Sequence, residues 1–339
     1  MDSLPTRRLG RDGPLVTAIG YGAMGLSTMY HPRPTDTEKL GVLDAVFDKG
    51  IRHWDTADCY EDNEALLGRW FRRTGKRDKI FLASKFAVTP TGEVRNDAEY
   101  VREACDRSLQ ALGVDHIDLY YCHRMDRVTP IEETVRAMAQ LKAEGKIKYL
   151  GLSECSAQTL QRANAVHHIS AVQVEYSPFS LDIEDPNINL LSTCRKLGVA
   201  VVAYSPLGRG FLGGQLRSPN DLHPDDVRRG LPRFSENNFL KNLKLVDFLH
   251  DMAARRGVSV STLVLAWLLH QGEDILPIPG STNPENISLN AQAANISLTD
   301  DEVAEIRAVV DDTTTSGGRY PEGGMALLAD TPPLKGLSA

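Results

Sequence analysis

Four polar side chains with complementary proton chemistry follow three separate apolar runs of the sequence. Asp55 and Tyr60 follow one run. Lys85 ends the next run, and His123 follows a third. A phenol, with an ordinary pKa near ~10, is a poor acid at neutral pH, but an adjacent ammonium group stabilises its phenolate. A carboxylate can hold that ammonium, and a histidine can donate a hydrogen bond to a carbonyl oxygen, so these types suit reduction of a C=O group by a hydride.

Each of these residues also has an ordinary structural explanation when it is taken alone. Asp55 can cap a turn, and Tyr60 can make an interface contact. Lys85 can extend its alkyl chain along the surface, and His123 can be a satisfied buried side chain. The functional interpretation therefore depends on whether the fold brings all four residues to one place.

Two glycine-containing loops could bind the phosphates of a nicotinamide cofactor, which would be the hydride source. Gly208–Gly213 matches G-x-G-x-x-G, but no helical pattern opens at Gly210 and Ser218–Asp221 would break one. We therefore interpret this segment as a loop whose backbone lies along a pyrophosphate, not as a Rossmann fingerprint. The second loop, Pro279–Pro284, places backbone amides and two hydroxyl groups ahead of a helical pattern, which suits a phosphate.

Eight short apolar runs alternate with helix-periodic segments along most of the chain. Several runs are continuously apolar, as is typical of parallel strands covered on both faces. This repeat predicts an α/β fold in which eight units close into a (β/α)8 TIM barrel. Functional groups of that barrel collect at the carboxyl ends of the strands, which is where the four polar residues fall. The predicted strands are Ala18–Tyr21, Ile51–Asp55, Ile80–Lys85, Ile117–Cys122, Lys148–Ser153, Ala171–Glu175, Val199–Tyr204 and Ile275–Ile278.

Helices are predicted between the strands from apolar residues at a spacing of three and four. Ser156 is a predicted N-cap, and Pro130 is predicted to stand in a first turn. Glycine directly follows four of the segments, and it commonly ends a helix. The predicted helices are Thr37–Lys49, Asn63–Arg73, Ala98–Leu112, Ile131–Glu144, Ala157–Val166 and Ile188–Leu197.

Some segments lie outside the repeat, although we expect a single domain over residues 1–339 with its core at about 6–312. A long loop follows the seventh strand and is expected to be functional, since loops of that length are uncommon. The C-terminal tail is expected to lie on the surface or over one end of the barrel. These segments are an N-terminal β-hairpin (Thr6–Leu9 and Leu15–Thr17), the long loop (Gly208–Asn238) and the tail (Thr313–Ala339), with an apolar island at Met325–Leu328.

Composition and charge exclude several classes of protein. The 339 residues are 42% hydrophobic, and 38 Lys and Arg stand against 45 Asp and Glu, giving a net charge of −7. This balance argues against nucleic-acid and membrane-surface partners. Apolar runs are far shorter than a membrane span, and Met1–Pro5 does not begin a signal peptide. Five cysteines without a C-x-x-C pair favour free thiols and a cytoplasmic location, and no clustered metal ligands are present.

The sequence resembles the aldo-keto reductase family over nearly its whole length. The wording of Gly151–Glu154 is most similar to the microbial, pyridoxal-reductase-like branch of aryl-aldehyde reductases. The motifs that carry the resemblance are Asp55-Thr56-Ala57-x-x-Tyr60, Lys85, His123, Gly151-Leu152-Ser153, Gln173-x-Glu175-Tyr176, Tyr204-Ser205-Pro206-Leu207-Gly208-Arg209-Gly210 and Ile278-Pro279-Gly280-Ser281.

The resemblance implies an NADP(H)-dependent enzyme without a metal that reduces small aldehydes and ketones to alcohols. It implies a catalytic tetrad of Asp55, Tyr60, Lys85 and His123, with Tyr60 as the proton donor. It also implies cofactor contacts along the barrel. They are Ser153 and Gln173 at the nicotinamide carboxamide, Tyr204 stacked on its ring, Ser205, Leu207 and Arg209 at the pyrophosphate, Gly280, Ser281 and Thr282 at the adenosine, Asn290 at the adenine, and further contacts at Gly22, Met24, Asp55 and Asn286.

Two departures from the family pattern bear on the cofactor. Glu154 stands where many members have Asn. An ionised Glu side chain can only accept hydrogen bonds, whereas an Asn side chain can also donate them. Members that bind the 2′-phosphate often place Lys or Arg in the adenosine loop, but residues 280–289 contain neither. An NAD(H)-preferring alcohol dehydrogenase is therefore an alternative to the NADP(H) enzyme.

The barrel and several of its residues allow a second interpretation. A cofactor-binding regulatory subunit similar to the potassium-channel β subunits would keep the same barrel, because fold alone does not determine function. Cys59 and Cys122 also have two interpretations, as small buried side chains of the core or as redox-sensing thiols. Trp54 and Phe86 are pocket-lining residues or parts of the core. The sequence predicts neither the substrate nor the oligomeric state.

Overall fold

Eight parallel strands form a closed sheet. The computed structural model describes residues 4–313, 315–321 and 327–334. Each barrel strand is hydrogen-bonded to the next in chain order. Backbone hydrogen bonds from Gly20 to Pro277 (2.9 Å) and from Gly22 to Pro279 (3.3 Å) join the first strand to the last, so the predicted barrel is confirmed. The strands are β1 (Thr6–Arg8) and β2 (Leu15–Thr17) of the hairpin, then β3 (Tyr21–Gly22), β4 (His53–Asp55), β5 (Phe81–Phe86), β6 (Ile117–Cys122), β7 (Ile147–Ser153), β8 (Ala171–Glu175), β9 (Ala200–Tyr204) and β10 (Ile275–Pro277).

Helices cover the outside of the barrel, and their first residues are set by side-chain caps. Ser156 accepts a hydrogen bond from the Thr159 amide and is the predicted N-cap. Thr35 and Glu38 form a capping box at the first helix. The helices are α1 (Asp36–Asp48), α2 (Asn63–Thr74), α3 (Ala98–Leu112), α4 (Ile131–Ala143), α5 (Ala157–Val166), α6 (Leu190–Leu197), α7 (Glu236–Arg256), α8 (Val260–His270), α9 (Pro284–Gln292) and α10 (Asp300–Asp312).

The alternation of side chains along the strands produces two separate cores. Outward residues such as Trp54 and Phe86 pack with the helices in a large core between sheet and helices. Inward residues form a smaller core inside the barrel, and the hairpin closes its amino-terminal end with two side chains, Leu9 and Val16. Asp55 and Lys85 occupy inward positions of β4 and β5, so both side chains face the interior. The interior core comprises Leu9, Val16, Ala83, Leu119, Tyr121, Ala171, Ala200, Val202, Leu276 and Ile278.

One glycine of the interior is required by close packing. The Tyr121 ring on β6 lies against Gly151 on β7, and a Cβ atom at Gly151 would be 2.4 Å from that ring. A larger residue at this position would displace Tyr121, and the interior has no space to receive it. The Gly-Leu-Ser sequence of this strand therefore serves packing at Gly151 as well as the site at Ser153.

Several predicted element boundaries are wrong. The first barrel strand was predicted at Ala18–Tyr21 but is Tyr21–Gly22, because the Ala18 amide bonds to Pro5 in the hairpin region at 2.9 Å. The sixth helix begins at Leu190, since Asn189 has a left-handed backbone with φ of 53°. Pro130 is the N-cap of α4 and not a residue of its first turn.

The three segments outside the repeat occur as predicted, with one change. The hairpin is present as β1 and β2. The long loop after β9 contains four short 3-10 turns and ends at Ser235, because α7 already begins at Glu236. In the tail, Ala329 is buried and bonds to the backbone beside Cys155, whereas Met325 and Ala326 of the predicted apolar island lie outside the described residues.

Within the described ranges no single helix is long and apolar enough to span a membrane. The bent pair α7 and α8, joined at an angle of 94°, passes the same test of length and composition when taken together. Both helices pack extensively into the large core, and every residue of α8 except Ser261 and His270 is buried.

Candidate active site

A buried ion pair lies at the carboxyl end of the barrel, which we call the mouth. Asp55 ends β4 and Lys85 stands near the end of β5, and Lys85 Nζ is 2.5 Å from Asp55 Oδ1. The same ammonium group donates to the backbone carbonyl of Thr56 at 2.7 Å. Lys85 is fully buried and Asp55 nearly so. A buried charge is tolerated when it is paired and hydrogen-bonded, and each of these two groups has such a partner.

Tyr60 lies next to this pair. The turn after β4 is closed by a hydrogen bond from the Tyr60 amide to Ala57 at 3.2 Å, which directs the ring to the mouth. Lys85 Nζ is 5.0 Å from the centroid of the ring. Burial raises the pKa of Tyr60 well above its ordinary value, and the charge of Asp55 adds to this effect while Arg124 opposes it. The phenol therefore carries its proton at neutral pH.

His123 directly follows β6, the strand next to β5, and lies beside Tyr60. Its ring meets the Tyr60 ring edge-on, with centroids 5.8 Å apart. Burial lowers the pKa of His123 well below 6.5, and the positive charges of Arg124 and Lys85 lower it further. The imidazole is therefore neutral. Cys59 Sγ lies 3.5 Å from His123 Nδ1, and in the tautomer with its proton on Nε2 this nitrogen accepts a hydrogen bond from the thiol.

The residues expected at a nicotinamide carboxamide lie beside this group. Ser153, the last residue of β7, is paired in register with Gln173 in the middle of β8, and both are buried. Gln173 Nε2 donates to Asp55 Oδ2 at 2.8 Å, which connects the two sets of residues. Tyr204, at the end of β9, donates its hydroxyl to Glu154 Oε1 at 3.0 Å.

The loop after β9 has the sharp backbone that a pyrophosphate loop requires. Ser205, Gly208, Arg209 and Gly210 all have positive φ values, from 47° to 88°. Leu207 is half-buried beside them. This backbone turns the chain back on itself at the rim of the barrel, and the Gly208 and Gly210 amides brace the turn by donating to Ser205 O (2.9 Å) and Leu207 O (3.0 Å).

The residues expected at the adenosine form a second loop, which follows β10, the strand next to β9 in the sheet. Gly280, Ser281 and Thr282 connect β10 to α9, and Gly280 is so close to the β3 end that a Cβ atom would be 2.6 Å from Gly22 O. The half-buried Met24 follows in a 3-10 turn beyond β3. The loop after β10 is thus held against the end of β3 by backbone contact.

Asn290 provides a direct test of whether these residues fit a nucleotide. Asn286 and Asn290 are both on α9, and Asn290 is only 3% exposed. Its Oδ1 is buried and has no hydrogen-bond partner among the described residues. Buried acceptors are normally satisfied, so this atom fits an exocyclic amino donor such as that of adenine.

Two residues of the mouth were missed by sequence reasoning. Arg124 is 5% exposed and donates Nη1 to His123 O (2.7 Å) and Ser153 Oγ (3.2 Å). Its only sequence signal is its place directly after His123. Arg319 belongs to the tail and pairs with Glu154 at 3.1 Å, a contact between residues so distant in the chain that no spacing indicates it.

Trp54 and Phe86 do not line the mouth. Both are fully buried, Trp54 packs against Trp70 of α2 with ring centroids 4.7 Å apart, and Phe86 packs against Tyr120 at 5.1 Å. Each occupies an outward position of its strand, one residue away from an inward one, so the pocket interpretation of these two residues is wrong. They belong to the large core.

The chemistry that this arrangement allows is proton transfer to a bound oxygen atom. A protonated phenol, a buried ammonium–carboxylate pair and a neutral imidazole lie together at the mouth of one barrel. No group of three or more His, Cys, Asp or Glu side chains suited to a metal occurs among the residues described. Fold and site together define a barrel of the oxidoreductase type.

The comparisons with known proteins identify the family. The model of the aldo/keto reductase family matches residues 18–311. The aldo-keto reductase str7 of Strobilurus tenacellus is 50% identical over 98% of this chain and 99% of its own. The aldo-keto reductase yakc [NADP(+)] of Schizosaccharomyces pombe is 46% identical over 98% and 99%. The chain belongs to the aldo-keto reductase family.

A solved structure supports the same conclusion at the level of the fold. The glycerol dehydrogenase AKR11B4 from Gluconobacter oxydans superposes with a TM-score of 0.82 at 27% identity, over 92% of this chain and 97% of that one. The overall fold is therefore shared with a protein of much lower sequence identity.

Proposed function

We propose that this protein is an NADP(H)-dependent oxidoreductase that reduces a small aldehyde or ketone to an alcohol, with Tyr60 as the proton donor. The observation that carries the proposal is the buried Lys85–Asp55 ion pair beside the protonated Tyr60. Family membership supports the reaction class, and the printed name of the fission-yeast relative supports the cofactor.

Tyr60, Lys85 and Asp55 act as one proton-donating unit. Tyr60 gives its proton to the substrate oxygen as negative charge develops there. The Lys85 ammonium stabilises the phenolate that remains, and Asp55 keeps Lys85 in place and charged. Because the pair is preorganised and shielded from water, it stabilises this charge without reorganisation during the reaction.

His123 positions the substrate. Its neutral imidazole donates a hydrogen bond from Nε2 to the carbonyl oxygen, so that the oxygen lies between His123 and Tyr60. A neutral donor leaves proton transfer to the phenol, and the low pKa of His123 maintains this division of roles across the physiological range.

Residues around the mouth would hold the cofactor, which supplies a hydride when it is bound. Ser153 and Gln173 would bind the carboxamide, and Tyr204 would stack on the nicotinamide ring. The other contacts would follow the two loops across the mouth. They are Gly22, Met24 and Asp55 near the nicotinamide side, Ser205, Leu207 and Arg209 at the pyrophosphate, and Gly280, Ser281, Thr282, Asn286 and Asn290 at the adenosine.

The choice between NADPH and NADH is tested by kinetics. Residues 280–289 contain one charged side chain, Glu285, and no base to pair with a 2′-phosphate. We expect a higher kcat/KM with NADPH, by analogy with the named relative. A clear preference for NADH would replace the proposal with the NAD(H)-dependent alternative.

A substrate panel tests the reaction itself. Aliphatic and aromatic aldehydes, ketones and pyridoxal are offered with NADPH, and the loss of its absorbance is followed. We expect turnover with at least one class of aldehyde. Tight cofactor binding without turnover of any carbonyl compound would instead favour a cofactor-binding regulatory subunit. The cytoplasmic location stays a prediction from the sequence.

A further inference from the structure

Glu154 joins the mouth of the barrel to the C-terminal tail. It directly follows Ser153, has a left-handed backbone with φ of 50°, and is completely buried. Its Oε1 accepts hydrogen bonds from Tyr204 Oη (3.0 Å), Arg319 Nη1 (3.1 Å) and the Glu175 amide (3.2 Å). Its Oε2 accepts one from the Leu328 amide at 3.3 Å. One carboxylate thus connects three strand ends with the tail.

The charge of Glu154 is balanced from the tail. Arg319, with a side chain that is 9% exposed, forms an ion pair with it, and no other described cation lies within ion-pair distance of Glu154. A buried carboxylate left without its partner is strongly destabilised. The position of the tail therefore determines whether this charge is satisfied, and the departure from Asn at this position is explained by Arg319.

The tail also contacts the predicted cofactor path near the nicotinamide and at the pyrophosphate. In addition to the side-chain contacts of Glu154, the Ala329 amide donates to the backbone oxygen of Glu154 at 2.9 Å, and the Ser156 amide donates to Ala329 O at 3.0 Å. The Arg209 guanidinium lies 4.9 Å above the ring of Tyr320. Tyr204 and Arg209, which are expected to hold the nicotinamide and the pyrophosphate, thus each have a partner that is in the tail or bound to it.

We propose that Glu154 is a positioning residue that couples the tail to cofactor binding. While Arg319 neutralises the charge of Glu154, the Glu154 carboxylate holds the Tyr204 hydroxyl in place. The Tyr204 ring, on which the nicotinamide ring would stack, is thereby held as well. The cofactor and the docked tail then stabilise each other, because free energies of coupling between two binding events are reciprocal. This inference rests on the proposed function, since it requires a nicotinamide at Tyr204.

A double-mutant cycle tests the coupling. Glu154→Gln leaves Arg319 with only its longer contact to Asp182 Oδ2 at 3.9 Å, and Arg319→Met leaves Glu154 as an unpaired anion. Each is expected to raise the Kd for NADPH about tenfold, within the ordinary range of coupling energies, while kcat at saturating NADPH changes far less. The double variant removes both charges, keeps an amide acceptor for Tyr204, and is expected to recover most of the affinity.

A buried ion pair at the opposite end of the barrel provides the matched control. Arg77 and Asp118 pair at 2.8 Å with similarly low exposure. Arg77→Met is expected to lower the thermal stability without changing the Kd for NADPH. Equal losses of affinity in Arg77→Met and Arg319→Met, or a double variant as weak as the singles, would overturn the proposal.

Hydrogen exchange on the unaltered protein tests the same coupling without a variant that could fail to fold. The Leu328 and Ala329 amides both bond to Glu154. Saturation with NADPH is expected to slow their exchange. Unchanged exchange at these two amides despite saturation would overturn the coupling alone, whereas a failure to bind any nicotinamide cofactor would overturn the proposed function.

Discussion

The side-chain amide of Gln173 donates to Asp55 across 2.8 Å, so a residue expected to bind the cofactor also holds the carboxylate of the proton-donating unit. Asp55 Oδ1 is occupied by Lys85 and its Oδ2 by Gln173. Both oxygens of this buried carboxylate are therefore satisfied by neighbours on β5 and β8. Gln173, Asp55 and Lys85 thus form one connected set of hydrogen-bonded side chains.

Replacement of Gln173 is expected to affect both binding and chemistry. Gln173→Leu removes the donor to Asp55, and the loss of a hydrogen bond to a charged group costs about 1.5–3 kcal/mol, or roughly tenfold to a hundredfold. We expect a higher KM for NADPH together with a lower kcat. Ser153→Ala is the matched variant, because Ser153 does not contact Asp55, and it should change KM alone. Identical kinetic patterns in the two variants would contradict the network.

Replacement of Tyr60 is expected to separate chemistry from binding. Tyr60→Phe keeps the ring beside Lys85 and removes only the transferable proton. A positioned general acid contributes about 10²–10⁴ to the rate, so kcat should fall by that factor. Quenching of protein fluorescence by NADPH should give an unchanged Kd. Wild-type turnover in Tyr60→Phe would show that another group is the proton donor.

His53 is expected to make the protein less stable in acid. It is fully buried inside the barrel, and neither ring nitrogen has a partner among the described residues. Burial lowers the pKa of His53 from 6.5 to about 4. Between these values the unfolded chain binds a proton that the folded protein does not. Its contribution to stability is therefore complete above about pH 6.5 and decreases by about 3 kcal/mol as the pH falls to 4.

His53→Leu isolates this contribution from those of other groups. The free energy of unfolding of both proteins is measured in urea between pH 7 and pH 4. Over this range, the free energy of unfolding of the wild type is expected to decrease by up to about 3 kcal/mol more than that of the variant. Parallel curves would show that His53 does not titrate in this way.

Mild peroxide is expected to leave the activity unchanged. Burial, assisted by the charge of Asp58, raises the pKa of the Cys59 thiol to about 12, and burial also raises the pKa of Cys122. Thiolates react with peroxide and thiols do so poorly, so both groups are expected to be inert near neutral pH. Residual activity after treatment measures this. Inactivation that Cys59→Ala prevents would support redox sensing instead.

The sequence predicts that Asp55, Tyr60, Lys85 and His123 lie at strand ends on one side of a barrel, and their tetrad role stays a prediction. Asp55 and Lys85 lie on inward positions near strand ends, and the barrel brings the carboxyl ends of its strands to one mouth. The same alternation accounts for the error at Trp54 and Phe86. Each is one residue away from an inward position, and apolar type alone does not indicate which core a strand residue enters.

The contacts of the tail could not be predicted from the sequence. Arg319 and Tyr320 stand in a segment without periodicity, and their partners Glu154 and Arg209 lie more than a hundred residues earlier. Local patterns carry no information about such pairs. Arg124 was missed for a different reason, since a charged residue after a strand is ordinarily exposed and its burial depends on the surrounding loops.

The hairpin side chains Leu9 and Val16 close the amino-terminal end of the barrel, the end opposite the mouth. Molecules that reach Tyr60 therefore arrive and depart through the same opening. We therefore expect the molecule that binds deeper at this opening to enter first and leave last in each turnover.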